Sequence, residues 1–241
     1  MEPRGSEFDI SVRFYDEVYE NAVKFTGFPA SYFDEHKVKE THRVLCKRPG
    51  FPAAPSILDF GCGVGNASPY LRKYFPHAAL YGVDISGESI RAATEKNQAH
   101  RVSYAVIDED GSGPFPFGIQ FDLVVVFNVL HHVDKNEHLR FFQRVKPLLK
   151  PGGLLVCHDM NPYNPVIKWA FHKYDMRFDP AANLLRPGYL RSQLIKAGFR
   201  PSRPQYEVFF PAFLSFLLPL EKHMTWLPFG ARHYSIAVNP D

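Results

Sequence analysis

The central part of the chain alternates short apolar runs with longer amphipathic stretches. The apolar runs predict five strands, at 56–60, 79–83, 102–106, 122–127 and 154–158. The fourth run, which reads DLVVVF, is apolar after its first residue, a pattern typical of a strand that is buried on both faces. Between the runs, apolar residues recur every three or four positions. This spacing predicts helices over 66–74, 86–98 and 136–149, with Ser86 as a helix N-cap.

This alternation of strands and helices predicts a mainly parallel sheet with helices on both faces. Near the C-terminus, the pattern predicts a helix over 187–197 and two more strands, over 205–210 and 233–238. No crossover helix separates these two strands, so we expect an antiparallel hairpin at the edge of the sheet. The expected fold is therefore an α/β domain with a mainly parallel seven-stranded sheet and an antiparallel last strand.

The N-terminal flank has a different pattern. Residues 7–45 alternate aromatic and charged positions at helical spacing and predict an N-terminal helical cap. One face of this cap would carry Phe14, Val18, Ala22 and Phe25. A stretch rich in proline and glycine follows at 47–55 and indicates a linker. We therefore divide the chain into a cap, 1–50, and a main domain, 51–241.

Two apolar segments interrupt the main domain, at 161–186 and 208–230. Both are too long and too apolar for plain connections. Their large apolar residues are mostly aromatic and include Tyr163, Trp169, Phe171, Tyr174, Phe178, Phe213, Phe216 and Trp226. Two interpretations remain open: the segments pack as additional core, or they roof a cleft and contact a lipid-linked or aromatic substrate.

Composition narrows the function classes. The formal net charge is +3 and no block of basic residues is present, which argues against a nucleic-acid partner. The three cysteines show no pairing rhythm, as expected in a reducing cytoplasm. The longest largely apolar run, 208–220, is shorter than a membrane-spanning helix and contains two prolines. We therefore expect a soluble, cytoplasmic protein.

A glycine loop follows the first predicted strand. Residues 59–66 read DFGCGVGN, and glycines allow a sharp turn and a close ligand. Such a loop by itself fits a dinucleotide or S-adenosylmethionine. The third glycine of the dinucleotide pattern would fall at Asn66, and the carboxylate of Asp59 would repel a pyrophosphate. A carboxylate at this place suits the ammonium group of S-adenosylmethionine.

Acidic residues also follow the next two strands. Asp84 ends the second strand, where a carboxylate can accept hydrogen bonds from both ribose hydroxyls of either cofactor. Asp108 follows the third strand and can accept a hydrogen bond from an adenine amino group. Glu109 is adjacent, so the choice between these two as adenine partner stays open.

The spaced motifs together resemble the class I S-adenosylmethionine-dependent methyltransferases. The similar segments are 57–65 (ILDFGCGVG), 81–86 (YGVDIS), 121–133 (FDLV through VLHHV) and 149–153 (LKPGG). The resemblance implies that the fold is Rossmann-like, that S-adenosylmethionine is the cofactor, and that its methionine end lies at the glycine loop. The cofactor residues it implies are Asp59, Gly61, Cys62, Gly63, Asp84, Ile85, Asp108, Glu109 and Asn128, the last through its backbone.

Methyl transfer to oxygen or nitrogen can also need a general base. His132, His158 and Asp159 are our candidates, because they end the fourth and fifth strands at the rim where open α/β sheets bind ligands. His131 and His172 are further candidates. We predict no metal, because no acid follows Phe127 and we expect the side chains of His131 and His132 to point to opposite sides.

These observations favour a methyltransferase with a small-molecule acceptor, either a sugar, a lipid-linked compound or an aromatic one. We expect no nucleic-acid acceptor. Two alternatives remain at this point: an NAD-dependent oxidoreductase, and a cofactor-binding adaptor of the same fold that has lost its chemistry.

Overall fold

The computed structural model describes residues 19–21, 23–109, 113–173 and 184–241. Phe14, Val18 and Ala22 of the predicted cap lie outside the described residues, as do Tyr174 and Phe178 of the first apolar segment. The side chains of Phe171 and His172 are likewise outside the description.

The sheet of the described residues has eight strands in the order β3-β2-β1-β4-β5-β8-β6, and β7 also pairs with β8. The strands are β1 (Ser56–Phe60), β2 (Ala79–Asp84), β3 (Val102–Val106), β4 (Phe121–Phe127), β5 (Leu149–Met160), β6 (Arg200–Pro201), β7 (Gln205–Glu207) and β8 (Arg232–Val238). Strands β1 to β5 are parallel, and β8 is antiparallel to β5. The mainly parallel sheet with an antiparallel last strand is therefore confirmed.

One detail of the predicted sheet is wrong, because the short strand β6 adds an eighth member. The antiparallel hairpin of the two late strands is confirmed, since β7 pairs with β8 at the end of the sheet beyond β5. Strand β8 pairs with β5 along seven residues and with β6 and β7 on its other side. Without β8, β5 would expose a long row of unpaired backbone groups.

The helices of the described residues surround this sheet. They are α1 (Ala30–Leu45), α2 (Ser68–Tyr74), α3 (Gly87–Lys96), α4 (His138–Val145), α5 (Pro165–Lys173), α6 (Pro187–Lys196) and α7 (Leu218–Glu221). Ser86 caps α3 as predicted, because its hydroxyl accepts a hydrogen bond from the backbone N–H of Ser89 at 3.1 Å. None of the helices within the described ranges is both long and apolar enough to cross a membrane.

An apolar layer lies on each face of the sheet, because successive side chains of a strand point to opposite faces. Leu58 packs into the layer that contains α4 and α6, whereas Ile57 packs into the layer that contains α1 and α2. Helix α1 buries Val38 and Leu45 in the second layer. The helix of the predicted cap thus shares its core with the sheet, and the domain boundary at residue 50 stays a prediction.

The two apolar segments are joined by buried asparagines. Asn161 donates to the carbonyls of Pro228 and Gly230 at 3.0 and 2.7 Å, and Asn164 donates to that of Phe229 at 2.7 Å. Among the described residues, none that lines the cleft described below belongs to either segment. The described parts of the segments therefore do not line that cleft, and several of their aromatic side chains are exposed rather than core.

Candidate cofactor cleft

A cleft of about 380 Å³ opens where the parallel strands end. All nine residues that the resemblance implies for the cofactor line it. They lie at the carboxyl ends of four neighbouring strands or on the loops that follow: Asp59 near the end of β1 with Gly61, Cys62 and Gly63 after it, Asp84 at the end of β2 with Ile85 after it, Asp108 and Glu109 after β3, and Asn128 after β4. Parallel strands bring their carboxyl ends to one edge, so residues far apart in sequence meet there.

The loop after β1 turns back towards β2. The backbone N–H groups of Gly61 and Cys62 both donate to the carbonyl of Val83, at 2.8 and 2.9 Å. Gly61 has a φ of 79°, and a Cβ atom there would lie 2.5 Å from a methyl group of Val129. Only glycine fits this position, because both the backbone conformation and the close approach exclude a side chain.

Asp84 is fixed at the end of β2 by backbone donors. One carboxylate oxygen accepts from the N–H of Gly63 at 2.8 Å, and the other accepts from the N–H of Ser86 at 3.0 Å. Burial raises the pKa of Asp84, while these backbone hydrogen bonds act in the opposite direction. The carboxylate is thus held in one orientation, with lone pairs left for a ligand in the cleft.

Asp59 is almost completely buried beneath the loop. Burial raises the pKa of Asp59 to about 7; the nearby carboxylates of Asp84 and Asp34 add to this rise, and Lys37 opposes it. The Oδ1 atom of Asp59 has no hydrogen-bond partner in the part of the chain that the structure describes. Buried acceptors are normally satisfied, so this atom marks a place for a donor from a ligand.

Helix α1 contributes two charged residues that sequence reasoning missed. Lys37 donates to Asp34 at 2.7 Å, and both side chains are buried and line the cleft. The available signal was the position of Asp34 on the face that carries Val38, Thr41 and Leu45, because a charge on an apolar helix face needs a reason. Assigning the helix to a separate cap concealed that signal.

Asp108 and Glu109 are exposed at the mouth of the cleft. Arg144 of α4 holds their backbone, donating to the carbonyl of Asp108 at 3.1 Å and to that of Glu109 at 2.9 Å. Both carboxylates remain available, so the choice of adenine partner stays open. Asp110, Gly111 and Ser112, which follow, lie outside the described residues.

Asn128 adopts a left-handed backbone conformation with a φ of 57° directly after β4. Its N–H donates to the carbonyl of His158 at 3.0 Å, so a backbone contact with the cofactor would use its carbonyl. The side-chain oxygen is buried, with no hydrogen-bond partner among the described atoms.

The three candidate general bases do not lie in the same place. His132 is exposed and lines the cleft, whereas His158 and Asp159 are buried and do not. We therefore correct the assignment of His158 and Asp159, because neither can touch an acceptor in the cleft. The reason is that β5 continues to Met160 through its pairing with β8, so these residues lie within the sheet rather than at its rim.

Both buried residues have structural partners. His158 bonds to Thr41 and to Glu207, each at 3.0 Å, and its ring stacks on Tyr234. Asp159 bonds to His131 Nδ1 at 2.8 Å, and burial, which by itself would raise its pKa, is outweighed by His131, so the pKa of Asp159 is lowered.

The adjacent histidines lie closer than we predicted. The rings of His131 and His132 are 4.2 Å apart, one buried and the other exposed, so the expectation that they point to opposite sides is wrong. Within the described ranges, no group of three or more histidine, cysteine, aspartate or glutamate residues is arranged to hold a metal ion. The absence of a metal from the reaction stays a prediction.

The strand order, the antiparallel strand beside β5 and the acid-lined glycine cleft define a Rossmann-like methyltransferase that binds S-adenosylmethionine. A family model described as "Methyltransferase domain" matches residues 31–202, and the chain belongs to this family. The family assignment decides against the oxidoreductase alternative.

Similar proteins act on different acceptors. Trans-aconitate 2-methyltransferase of Paracidovorax citrulli is 32% identical over 53% of this chain and 47% of its own length. The tRNA N(3)-cytidine methyltransferase METTL2 of Bos taurus is 29% identical over 51% of this chain and 35% of its own length. The matched part of the chain thus spans less than half the length of these curated relatives.

A solved structure shares the whole fold. Magnesium protoporphyrin IX methyltransferase from Synechocystis PCC 6803, solved with bound S-adenosylhomocysteine, has a TM-score of 0.61 and 18% identity. The match covers 95% of this chain and 98% of that one. At this identity the likeness concerns the fold alone.

Proposed function

We propose that this protein transfers the methyl group of S-adenosylmethionine to a small-molecule acceptor that is neutral or cationic around the methylated atom. One observation carries the proposal: the exposed mouth of the cleft is acidic. Asp108, Glu109, Asp134 and Glu137 are exposed there. They outnumber the two exposed or partly exposed cations of the lining: Arg140 lies 3.6 Å from Glu137, and Arg144 donates to the carbonyls of Asp108 and Glu109. A polyanionic acceptor such as tRNA would be repelled from such a mouth.

Acceptor classes can be separated with one labelled cofactor. The protein is incubated with methyl-tritiated S-adenosylmethionine and either total tRNA or a panel of phenols, amines and neutral sugars. We expect label in the extractable small-molecule fraction and none in acid-precipitated tRNA. Label in the tRNA would contradict the proposal, and cofactor binding without transfer to any acceptor would favour the adaptor alternative.

The buried charges indicate how the cofactor is held. When bound, S-adenosylmethionine supplies a methyl group on a sulfonium, ready for in-line displacement, so the protein mainly positions and desolvates. Asp59 offers an unpartnered buried oxygen for the ammonium group. Lys37 interacts electrostatically with Asp59 and is the buried cation of the lining, so we assign it to the carboxylate of the methionine end.

This assignment predicts a selective loss of affinity. Lys37→Met should weaken S-adenosylhomocysteine about tenfold or more, because a charge-assisted hydrogen bond is worth about 1.5–3 kcal/mol. Binding of 5′-methylthioadenosine, which lacks the amino-acid end, should barely change. Lys39→Met, at an exposed position of the same helix, is the matched control.

Removing Lys37 also leaves Asp34 without its partner, so folding needs a separate check. The double variant Asp34→Asn/Lys37→Met removes the buried charge together with its partner. Equal losses for both ligands in the folded double variant would show that the pair shapes the cleft instead of binding the carboxylate.

For acceptors that lose a proton, we propose His132 as the general base. It lies at the cleft close enough to Asp84 to lower the pKa of that carboxyl, although only as a minor effect. Asp159 orients His131, and the His131 ring packs against that of His132. Asp159 and His131 are thus positioning residues in this proposal, and His132 is the group that meets the acceptor.

A further inference from the structure

The most exposed apolar side chains of the described chain are concentrated in the second apolar segment. Phe213, Phe216, Leu220, Trp226 and Phe229 are between 50% and 79% exposed, and we call these five residues the aromatic platform. They lie on the 3-10 helix Ala212–Leu217, on α7 and on the turn before β8. Large apolar side chains that are exposed within one short segment are typical of an interaction surface.

The platform is held in place by hydrogen bonds between side chains and backbone. The buried Glu221 accepts hydrogen bonds from the backbone N–H groups of Phe209 and Phe210, at 2.7 and 3.0 Å. Asn164 holds the carbonyl of Phe229, and the indole N–H of Trp226 donates to the carbonyl of His223 at 3.1 Å. Because the backbone beneath the platform is anchored on both sides, the apolar side chains are presented outward.

The exposed ionisable residues of the platform's own segment are basic. Within 208–231 the ionisable residues are Glu221, Lys222 and His223. The glutamate is buried, whereas Lys222 and His223 are exposed, and Lys168 of the adjoining α5 is exposed as well. A partner surface that complements this arrangement would be apolar where it meets the platform's side chains and negatively charged where it meets the basic residues.

We infer that the aromatic platform docks onto an anionic lipid bilayer, with its rings at the level of the headgroups. Aromatic and leucine side chains bordered by lysines are the composition that binds such an interface. A second copy of the chain is a poorer occupant, because symmetric pairing would bring the same basic side chains face to face. The docking itself does not depend on the proposed function. If both hold, the methyl acceptor would be a molecule of the bilayer, and that step rests on the proposed function.

Vesicle sedimentation tests the docking directly. The full chain is mixed with phosphatidylcholine vesicles, with or without phosphatidylglycerol, at low and high salt. We expect co-sedimentation with the anionic vesicles that weakens in high salt. In a Trp169→Phe background Trp226 is the remaining tryptophan, and its emission should shift to the blue on binding.

Matched variants identify the surface. Phe213→Ser/Phe216→Ser/Trp226→Ser should lower binding to anionic vesicles about tenfold or more, and Lys168→Gln/Lys222→Gln should remove the salt dependence. Ile119→Ser/Ile195→Ser, at exposed apolar positions outside the platform, should bind like the unmodified protein. Binding of S-adenosylhomocysteine should be unchanged in all three variants.

Several results would overturn the inference: binding to neither kind of vesicle, equal binding by the serine variant, or a concentration-dependent dimer that the serine variant abolishes. Failure of the proposed function is distinguishable from these results. It would appear as absent methyl transfer to small acceptors dispersed in detergent, whether or not the protein sediments with vesicles.

Discussion

The cofactor cleft and the buried polar network beside β5 both contain histidines and carboxylates, but only those of the cleft line a cavity. In the cleft, Asp59 has a buried oxygen without a partner and His132 faces open space. In the sheet beside β5, His158 bonds to Thr41 and Glu207, and His36 forms ion pairs with Glu207 and Glu221, so these residues contact one another. The comparison teaches that polar groups which line a cavity can meet a ligand, whereas buried polar groups which contact one another maintain the fold.

Opposite charges in this network shift the pKa values of its histidine and glutamate side chains. Burial by itself would lower the pKa of His36, but the carboxylates of Glu207 and Glu221 outweigh it and raise the pKa to about 9. Burial would likewise raise the pKa of Glu207, yet His158 and His36 hold it well below its usual range. The protein therefore keeps a protonated His36 beside an ionised Glu207 at neutral pH.

The largest expected effect comes from breaking this network. Glu207→Ala removes the carboxylate that His36 and His158 share, and removing one partner of a buried pair typically costs about 3–5 kcal/mol in the free energy of unfolding. Denaturant unfolding measures the loss. Glu35→Ala, in a partly exposed pair with Lys73, is the control and should change stability little.

The same network has a pH dependence with a defined sign. His36 has a raised pKa in the folded chain. Its contribution to the free energy of unfolding is therefore complete below pH 6.5, the ordinary pKa of histidine, and is lost as the pH rises through about 9. A Glu207→Ala variant should lose most of this dependence. Its retention would show that Glu207 is not the group that holds the proton on His36.

The next largest effect concerns turnover. His132→Gln should reduce kcat about 100-fold for oxygen or nitrogen acceptors, because a general base contributes about 10²–10⁴-fold. Affinity for S-adenosylhomocysteine should stay the same. His77→Gln, at an exposed site away from the cleft, serves as the control, and full activity in His132→Gln would remove the base from the mechanism.

A smaller effect is expected at the ribose position. Asp84→Ala should lower the affinity for S-adenosylhomocysteine at least about tenfold, since a hydrogen bond to a charged group is worth about 1.5–3 kcal/mol. Calorimetry measures the affinity, with Glu95→Ala on the exposed face of α3 as control. Unchanged affinity in a folded Asp84→Ala protein would contradict the assignment of this carboxylate to the ribose.

The smallest effect is a pH dependence of cofactor binding. Asp59 has a pKa of about 7, and only its ionised form can neutralise an ammonium group. Affinity for S-adenosylhomocysteine should therefore rise roughly tenfold between about pH 6 and pH 8, as the ionised fraction grows. Asp59→Asn should bind weakly and without this rise, and the same slope in both proteins would assign the proton to another group.

The cofactor side of the molecule was largely predictable. Gly61, Gly63 and Asp84 lie directly after predicted strands, and parallel strands end at one edge, so short-range pattern and topology suffice to bring them together. Asp34 and Lys37 were not predictable in this way. Their place in the cleft depends on how α1 packs on the sheet.

The sequence by itself determined the alternation of strands and helices, the glycine turn and the acids at the strand ends, because each of these follows from local periodicity and backbone geometry. Only the tertiary structure decided which histidines and carboxylates face the cleft. His158 and Asp159 became core because β8, more than seventy positions later in the chain, extends the pairing of β5 to Met160. Pairing between distant segments leaves no local pattern in the sequence. The sequence therefore could not show that His131 is buried whereas its neighbour His132 is exposed.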